Sequence, residues 1–161
     1  MKLKDSGGRR EFSSGAVRDI DSNKGRCDLL PLGVLAEVSG DKVYSYIHNY
    51  IYTGNKTSLV EALKHFTTAR YGDLNTAMLE VAKHYSDGAE KYTERNWEKG
   101  IPLHAYIDSG VRHYLKWSRG DDDEPHDRAF VWNMLGALWT HDYMPEFCDL
   151  PFSSGEIKIK L

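Results

Sequence analysis

Residues 73–91 carry an apolar pattern that fits an α-helix and does not fit a strand. Small and apolar side chains recur there at intervals of three and four residues: Leu74, Ala77, Met78, Val81, Ala82, Tyr85 and Ala89. At about 100° per residue they form one buried face. A narrow polar stripe lies on the other side, formed by Glu80, His84, Asp87 and Lys91. We therefore expect a helix, opened by Asp73, that lies in a core and presents charged groups along one edge.

The same period recurs elsewhere and predicts an all-α chain. Further helices are expected over residues 31–38, 41–53, 57–69, 103–118 and 125–143. Pro31 can begin the first of these helices, and Asp41 is a favourable N-cap for the second. No segment alternates as the strands of a sheet do, and at most a short strand is expected over residues 157–161.

The N-terminal residues 1–31 are rich in Gly, Ser, Arg and Asp and show no sustained period, which predicts an extended arm. We expect turns at residues 7–8, 13–15 and 23–25. Two interpretations stay open: a disordered leader, or an arm pinned to a folded body. In the second case its basic side chains could reach phosphate, because Arg and Lys offer charged donors. They are Arg9, Arg10, Arg18, Lys24 and Arg26.

Composition narrows the class of protein. A chain of 161 residues with 40% hydrophobic and 28% charged residues has room for one domain with a core, expected over residues 32–145 and followed by a tail over 146–161. A net charge of -3 argues against nucleic acid as a partner. Cys27 and Cys148 match no zinc spacing. No apolar run approaches a membrane span or a signal peptide, so we expect a cytoplasmic protein without a membrane partner.

Acidic residues precede the last predicted helix, in the run 121–124. They are either a solvated helix N-terminus, which the helix dipole favours, or metal ligands. Glu124 and Asp127 are three residues apart and share one side of a helical turn. Together with Glu80 and Asp87 they would form a carboxylate cluster, which suits Mg²⁺ or Mn²⁺ better than zinc.

A polyphosphate is the natural ligand of such a metal site. Lys91 and Arg112 could neutralise its remaining charge, although Asp108 and Arg112 at i, i+4 are by themselves typical of a surface ion pair. Trp97 or Tyr92 could stack on a base.

Five motifs occur in order along the chain: KDSGGRREFSSGAVRD with GRCDLLP, the Glu80 helix ending in GAEKY, ERNWEKGIPL, DSGVRHYLKW and DEPHDRAFVWN. Together they resemble the phage and bacterial dATP/dGTP diphosphohydrolase family, relatives of the MazG-type all-α nucleoside triphosphate pyrophosphohydrolases. The resemblance covers roughly residues 4–31 and 75–140. It implies a MazG-like helical bundle that assembles as a homodimer or homotetramer, with sites at subunit interfaces. Residues 39–73 look like inserted helices.

The resemblance also implies metal ligands. Members of the wider superfamily hold Mg²⁺ with an ExxE motif on one helix and an ExxD motif on the next. Glu124 to Asp127 is similar to the ExxD motif. In the ExxE position, Glu80 is followed by Lys83 where the pattern has a second Glu. The second acidic ligand is therefore undecided: Asp87 is favoured, and Glu37 is a less favoured alternative.

The activity that the resemblance implies is cleavage of a purine deoxynucleoside triphosphate to the monophosphate and pyrophosphate. The favoured substrate is dGTP, with GTP or dATP as alternatives, and the product dGMP would serve phage DNA that contains 2-aminoadenine. The expected catalytic residues are Glu80, Glu124, His84 and Lys91. The expected substrate contacts are Lys91, Tyr92, Asn96, Trp97, Arg112, Asn133 and Arg26, with Asn96 or Asn133 selecting the purine.

Two other functions stay open. His84, the pair His126-Asp127 and Asp142 follow the H…HD…D order of HD-type phosphohydrolases, which release triphosphate or phosphate instead. A non-enzymatic helical interaction module, whose acidic residues are solvated, is the second.

Overall fold

The computed structural model describes residues 1–5, 7–21 and 23–154. Six α-helices follow one another in this part of the chain: α1 (Leu32–Ser39), α2 (Lys42–Thr53), α3 (Lys56–Tyr71), α4 (Leu74–Lys91), α5 (Leu103–Arg119) and α6 (His126–Tyr143). The predicted all-α class is confirmed, and each helix lies close to its expected bounds. Among the described helices, none combines the length and apolar character that a membrane crossing requires. The strand expected over residues 157–161 lies outside the described residues.

Helices begin and end at residues whose side chains suit those positions. Asp41, Asn55 and Asp73 precede α2, α3 and α4, and their side chains accept hydrogen bonds from backbone amides two or three residues later. These bonds satisfy amides that have no partner inside the helix. Gly40 and Gly54 follow α1 and α2 with φ of 70° and 67°, a left-handed conformation that glycine adopts without strain.

Helices α5 and α6 make the most extensive contact between any two described elements. Two glycines allow their close approach. A Cβ atom on Gly136 would lie 2.3 Å from the ring of Tyr106, and one on Gly110 would lie 2.4 Å from the methyl group of Met134. Neither glycine could therefore carry a side chain unless its neighbour moved.

The helices predicted as an insertion, α2 and α3, contribute to the same core. Tyr50 of α2 and Phe66 of α3 are buried, and the ring of Phe66 lies 4.8 Å from that of Phe130 on α6. Helix α3 also packs on α4. Residues 39–73 are thus an integral part of this fold, and their being an insertion relative to family members stays a prediction.

The arm contains a hairpin that the sequence did not predict. Strands β1 (Arg9–Glu11) and β2 (Val17–Asp19) pair in antiparallel fashion. The expectation of a chain without a sheet is wrong here, because a strand of three residues is too short to show a period of two. The predicted turn over residues 13–15 connects the strands, with Gly15 at φ 85°. Ala16 is fully buried, so the arm lies on the folded body.

The buried face of α4 is rotated from the predicted one. Val81 is buried as expected, but Leu74 is 58% exposed and Ala82 is also exposed. His84, which was expected on the polar stripe, is only 6% exposed. The cause is α6, which packs on this side and brings the ring of Trp132 to 6.1 Å from that of His84.

Candidate functional site

A pocket of about 750 Å³ opens between the arm and helices α4, α5 and α6. Its volume lies in the range of small-molecule binding sites. The lining residues come from five stretches of the chain, within residues 3–24, 84–97, 109–116, 123–124 and 132–133. The arm therefore forms one wall of the pocket, and the loop before α6 lies at its edge.

Basic side chains outnumber acidic ones around this pocket. Its lining includes eight Lys or Arg residues and six Asp or Glu residues, whereas the whole chain has 21 and 24. The basic residues are Lys4, Arg10, Arg18, Lys24, Lys91, Arg95, Arg112 and Lys116. Such a local excess on an acidic protein favours an anionic ligand.

Arg18, on β2, forms no ion pair with an acidic side chain within residues 1–5, 7–21 and 23–154. Its guanidinium donates to Ser109 Oγ at 3.1 Å and to Asn133 Oδ1 at 3.2 Å, and it lies 5.3 Å from the ring centre of Trp132. Among the described residues its contacts are hydroxyl, amide and carbonyl groups and aromatic rings, and none is an ion pair. Desolvation lowers the pKa of this group. Because a desolvated cation without a counter-ion is costly, the site favours an anion beside Arg18.

His84 lines the same pocket although it is almost fully buried. In the described part of the chain its Nδ1 atom has no hydrogen-bond partner. Burial, and then the nearby charges of Arg128 and Arg18, lower the pKa of His84 to about 3, so the ring is neutral near pH 7. A bound anion would offset those charges and raise the pKa, which would make the imidazole a better proton acceptor. Its expected role as a base stays a prediction.

The two amides expected to select a purine are engaged inside the protein. Asn96 accepts from the backbone amide of Val17 at 2.9 Å and donates to the carbonyl of Val17 at 2.8 Å. Asn133 donates to the carbonyl of Ala129 at 2.8 Å and accepts from Arg18. Both residues line the pocket, and Asn96 attaches the hairpin to the loop after α4.

The Asp108–Arg112 pair lies beneath the arm. Asp108 is 2% exposed, and its Oδ1 atom lies 2.6 Å from Arg112 Nη2. The same carboxylate accepts from the backbone amide of Cys27 at 2.7 Å, and Arg112 donates to the carbonyl of Gly25 at 2.6 Å. The expectation of a surface ion pair is wrong because the arm covers this face of α5. Arg112 also lines the pocket.

Three other predicted substrate contacts, Lys91, Tyr92 and Trp97, line the pocket. Lys91 Nζ lies 2.6 Å from Asp19 Oδ2, and the hydroxyl of Tyr92 donates to Asp19 Oδ1 at 3.0 Å. Both residues therefore connect the end of α4 to the arm. Trp97 packs edge-on against Trp139 with ring centres 5.0 Å apart.

Arg26, the remaining predicted substrate contact, does not line this pocket. Its guanidinium forms a two-point pair with Asp28, at 2.8 and 2.7 Å. Four other basic residues of the arm line the pocket instead: Lys4, Arg10, Arg18 and Lys24.

The four acidic residues predicted to bind metal do not all meet at one point. Glu80, Glu124 and Asp127 line a second, more open pocket of about 490 Å³, whereas Asp87 lines neither pocket. Glu80 and Asp127 are each held by a basic neighbour, at 2.7 and 3.0 Å. Of the four, Glu124 alone lines both pockets. The proposed metal role of this set stays a prediction.

The residues of the HD-type alternative are far apart. His126 and Asp127 begin α6, and Asp142 lies near its end. At 1.5 Å per residue, His126 and Asp142 are separated by roughly 24 Å along the helix axis. Asp142 instead pairs with Lys56 at the start of α3, at 2.6 Å. This placement does not favour an HD-type site.

Two histidines that the sequence analysis did not bring together meet at the edge of the pocket. The Nδ1 atoms of His113 on α5 and His126 on α6 are 2.9 Å apart, and His126 Nε2 lies 2.8 Å from Asp123 Oδ1. Burial, followed by the proximity of His126, holds the pKa of His113 well below its usual value. Because the two rings come from different helices, no spacing rule within one segment could have found the pair.

The fold and the pocket define a class of protein. It is an all-α protein with a pocket of about 750 Å³ that has more basic than acidic side chains in its lining and whose wall is completed by an N-terminal arm. A ligand with phosphate groups matches both the volume and the charge of this pocket.

Residues 74–149 match the family described as dATP/dGTP diphosphohydrolase, N-terminal. The matched segment begins at α4 and continues past α6, so it includes Lys91, Arg112 and both histidines. This match confirms the predicted resemblance to the dATP/dGTP diphosphohydrolase family, whose name indicates a hydrolase. The MazG-like relationship stays a prediction. Comparison with curated proteins and with solved structures gives no match.

Proposed function

We propose that this protein is a nucleoside triphosphate diphosphohydrolase that converts dGTP to dGMP and pyrophosphate, with GTP or dATP as alternative substrates. The observation that carries the proposal is Arg18, a desolvated cation that pairs with no acidic side chain in the described part of the chain and lines a pocket with an excess of basic side chains. The family match supports the reaction class. The dGMP would supply synthesis of phage DNA that contains 2-aminoadenine, in the host cytoplasm.

The triphosphate would lie against the basic part of the pocket. Arg18, Lys91 and Arg112 line it and carry charged donors, and charged donors form the strong hydrogen bonds to phosphate oxygens. Trp97 or Tyr92 would stack on the base. Selection of a purine by Asn96 or Asn133 would require the amide to share its present partner with the base.

The reaction adds water across a phosphoanhydride bond. The water oxygen bonds to phosphorus, the bond from that phosphorus to the bridging oxygen breaks, and the proton of the water passes to a base. Glu124 or His84 would accept this proton. The carboxylate of Glu80, which lines the second pocket, is a further candidate for this role. The basic side chains would stabilise the charge on the phosphate oxygens as the bond breaks.

A divalent ion, Mg²⁺ or Mn²⁺, would add charge neutralisation and a more acidic water. Because Glu80, Asp87, Glu124 and Asp127 are not gathered in one cluster, no step above depends on all four holding that ion.

Product analysis tests the proposal. The purified protein is incubated with each of the four dNTPs and GTP, with Mg²⁺, with Mn²⁺ or with EDTA, and the nucleotides and pyrophosphate are resolved. We expect dGMP and pyrophosphate from dGTP, lost in EDTA and in Glu124→Gln. The matched control Glu61→Gln, on α3, should keep the activity.

Other products would select another function. Deoxyguanosine with triphosphate, or dGDP with phosphate, would overturn the proposal in favour of an HD-type phosphohydrolase. No turnover of any nucleotide with either metal would leave the non-enzymatic interaction module as the better account.

A further inference from the structure

The histidine pair at the edge of the pocket has the geometry of a metal site. His113 comes from the middle of α5 and His126 from the first turn of α6, and their Nδ1 atoms face each other at 2.9 Å. The carboxylate of Glu124 completes the group, because a ligand atom from each of the three residues lies within 4.8 Å of the other two. Two nitrogens bound at right angles to one ion, each at about 2.1 Å, would be about 3 Å apart.

Asp123 orients one of these rings. Its Oδ1 atom lies 2.8 Å from His126 Nε2, so this nitrogen donates to the carboxylate and the lone pair of the ring is on Nδ1, which faces His113. A histidine that binds metal through one nitrogen commonly donates through the other to a carboxylate. Lys4 of the arm contacts the second oxygen of Asp123 at 2.8 Å, which fixes the carboxylate in turn.

We propose that His113, Glu124 and His126 bind one first-row transition metal ion at the edge of the pocket, with Asp123 orienting His126. Neutral imidazole nitrogen binds Co²⁺, Ni²⁺ or Zn²⁺ much better than Mg²⁺, which prefers oxygen ligands. The site would place the ion beside a triphosphate in the pocket, because His113 and Glu124 both line it. This use of the ion rests on the proposed function, whereas the binding itself does not.

The surroundings favour this set over the carboxylate set. Glu80 and Asp127 already pair with Lys83 and Arg70, so metal binding there would have to break two ion pairs. Among the described residues, the partners of the histidine ring nitrogens are the other ring and Asp123, and none of them is a cation. Without a metal, His113 Nδ1–H donates to His126 Nδ1. An ion bound between the two nitrogens would take the place of that proton, which would move to Nε2 of His113 and leave the ring neutral.

Cobalt is a suitable probe because its visible absorption reports the ligands and the geometry of the site. Metal-free full-length protein is titrated with Co²⁺ and followed by visible absorption and calorimetry, without nucleotide. We expect one equivalent bound with micromolar affinity and no displacement by a hundredfold excess of Mg²⁺. His113→Gln and Glu124→Gln should each weaken binding at least tenfold. His65→Gln, the same change on an exposed face of α3, should leave it unaltered.

Several outcomes would overturn the proposal: no bound equivalent, displacement by Mg²⁺, or equal affinity in wild type and His113→Gln. Circular dichroism of each variant separates loss of a ligand from loss of the fold, and Asp123→Asn offers a second variant outside the ligand set, expected to weaken binding less. Co²⁺ binding without dGTP hydrolysis would keep the metal site and reject the proposed function. Hydrolysis of dGTP together with unaltered Co²⁺ affinity in His113→Gln would keep the proposed function and reject the metal site.

Discussion

Within the described residues, Arg18 has no acidic partner and one ring nitrogen of His84 has no hydrogen-bond partner. Arg18 donates only to neutral groups, and Nδ1 of His84 has no hydrogen-bond partner within the described residues. His84 is buried and Arg18 is half-buried. Polar groups that are withdrawn from water without such partners destabilise a fold, so positions like these commonly serve a ligand. Both side chains line the same pocket, so a ligand bound there could offset the free-energy cost of withdrawing them from water.

Replacing Arg18 should increase the stability of the protein and weaken its binding of pyrophosphate. In Arg18→Met the desolvated charge is removed and the apolar stem is kept, so the free energy of unfolding should rise by on the order of 1 kcal/mol. Added pyrophosphate should stabilise the wild type and have little effect on the variant. Urea unfolding with and without pyrophosphate measures both quantities. Arg119→Met, at the exposed end of α5, is the control, and a loss of stability in Arg18→Met alone would contradict this account.

His84 should make the protein sensitive to acid. Its pKa is about 3 in the folded protein against an ordinary 6.5, so between these values the unfolded chain binds the proton and the folded protein does not. Stability from this residue is complete above about pH 6.5 and is lost as the pH falls toward 3. The loss at pH 4 should be on the order of 2–3 kcal/mol.

Urea unfolding at pH 7, 5 and 4 checks this prediction. The difference in free energy of unfolding between pH 7 and pH 4 should be smaller in His84→Gln than in the wild type. The control His65→Gln changes an exposed histidine and should follow the wild type. If the free energy of unfolding fell equally with pH in His84→Gln and in the wild type, His84 would not titrate as described.

Some site residues could be recognised from the sequence and others could not. Lys91, Tyr92, Trp97 and Arg112 stand in motifs with chemical meaning, and the structure places all four around the pocket. His113 gave no signal, because its partner lies on another helix and only the packing of α5 on α6 brings the rings together.

At the scale of the elements, the helices can be predicted from local sequence patterns, whereas the hairpin of the arm cannot. Apolar periodicity and capping residues determine where α2 to α4 begin, and these signals lie within a few residues of each other. The hairpin of β1 and β2 depends on the side chain of Asn96, which lies far along the chain and pairs with Val17. A contact of this range leaves no local pattern in either segment.

Removing that contact should loosen the arm. Asn96→Ala leaves the backbone amide and carbonyl of Val17 without partners, so we expect a loss of about 1–3 kcal/mol in the free energy of unfolding. Limited proteolysis should cut the arm faster in the variant than in the wild type. The control Asn75→Ala removes an exposed amide near the start of α4. Equal proteolysis rates for Asn96→Ala and wild type would contradict the anchoring role of Asn96.

At the scale of the whole molecule, we propose that the protein is a homodimer or homotetramer, as the family resemblance implies. Val34 and Val38, one turn apart on α1, are 56% and 81% exposed, and Leu29 just before this helix is 70% exposed. A second copy would cover this apolar surface. Light scattering should give a mass above that of the monomer, reduced in Val38→Asp and unaltered in Glu37→Gln. A monomeric wild type would reject the proposal.

We propose that a nucleoside triphosphate binds in the pocket between the arm and α4 to α6. The most direct test is calorimetric titration with a non-hydrolysable dGTP analogue for the wild type, Arg18→Met and the control Arg119→Met. We expect a single site in the wild type, a dissociation constant at least tenfold higher in Arg18→Met, and no change in the control. Equal affinity in all three proteins would contradict it.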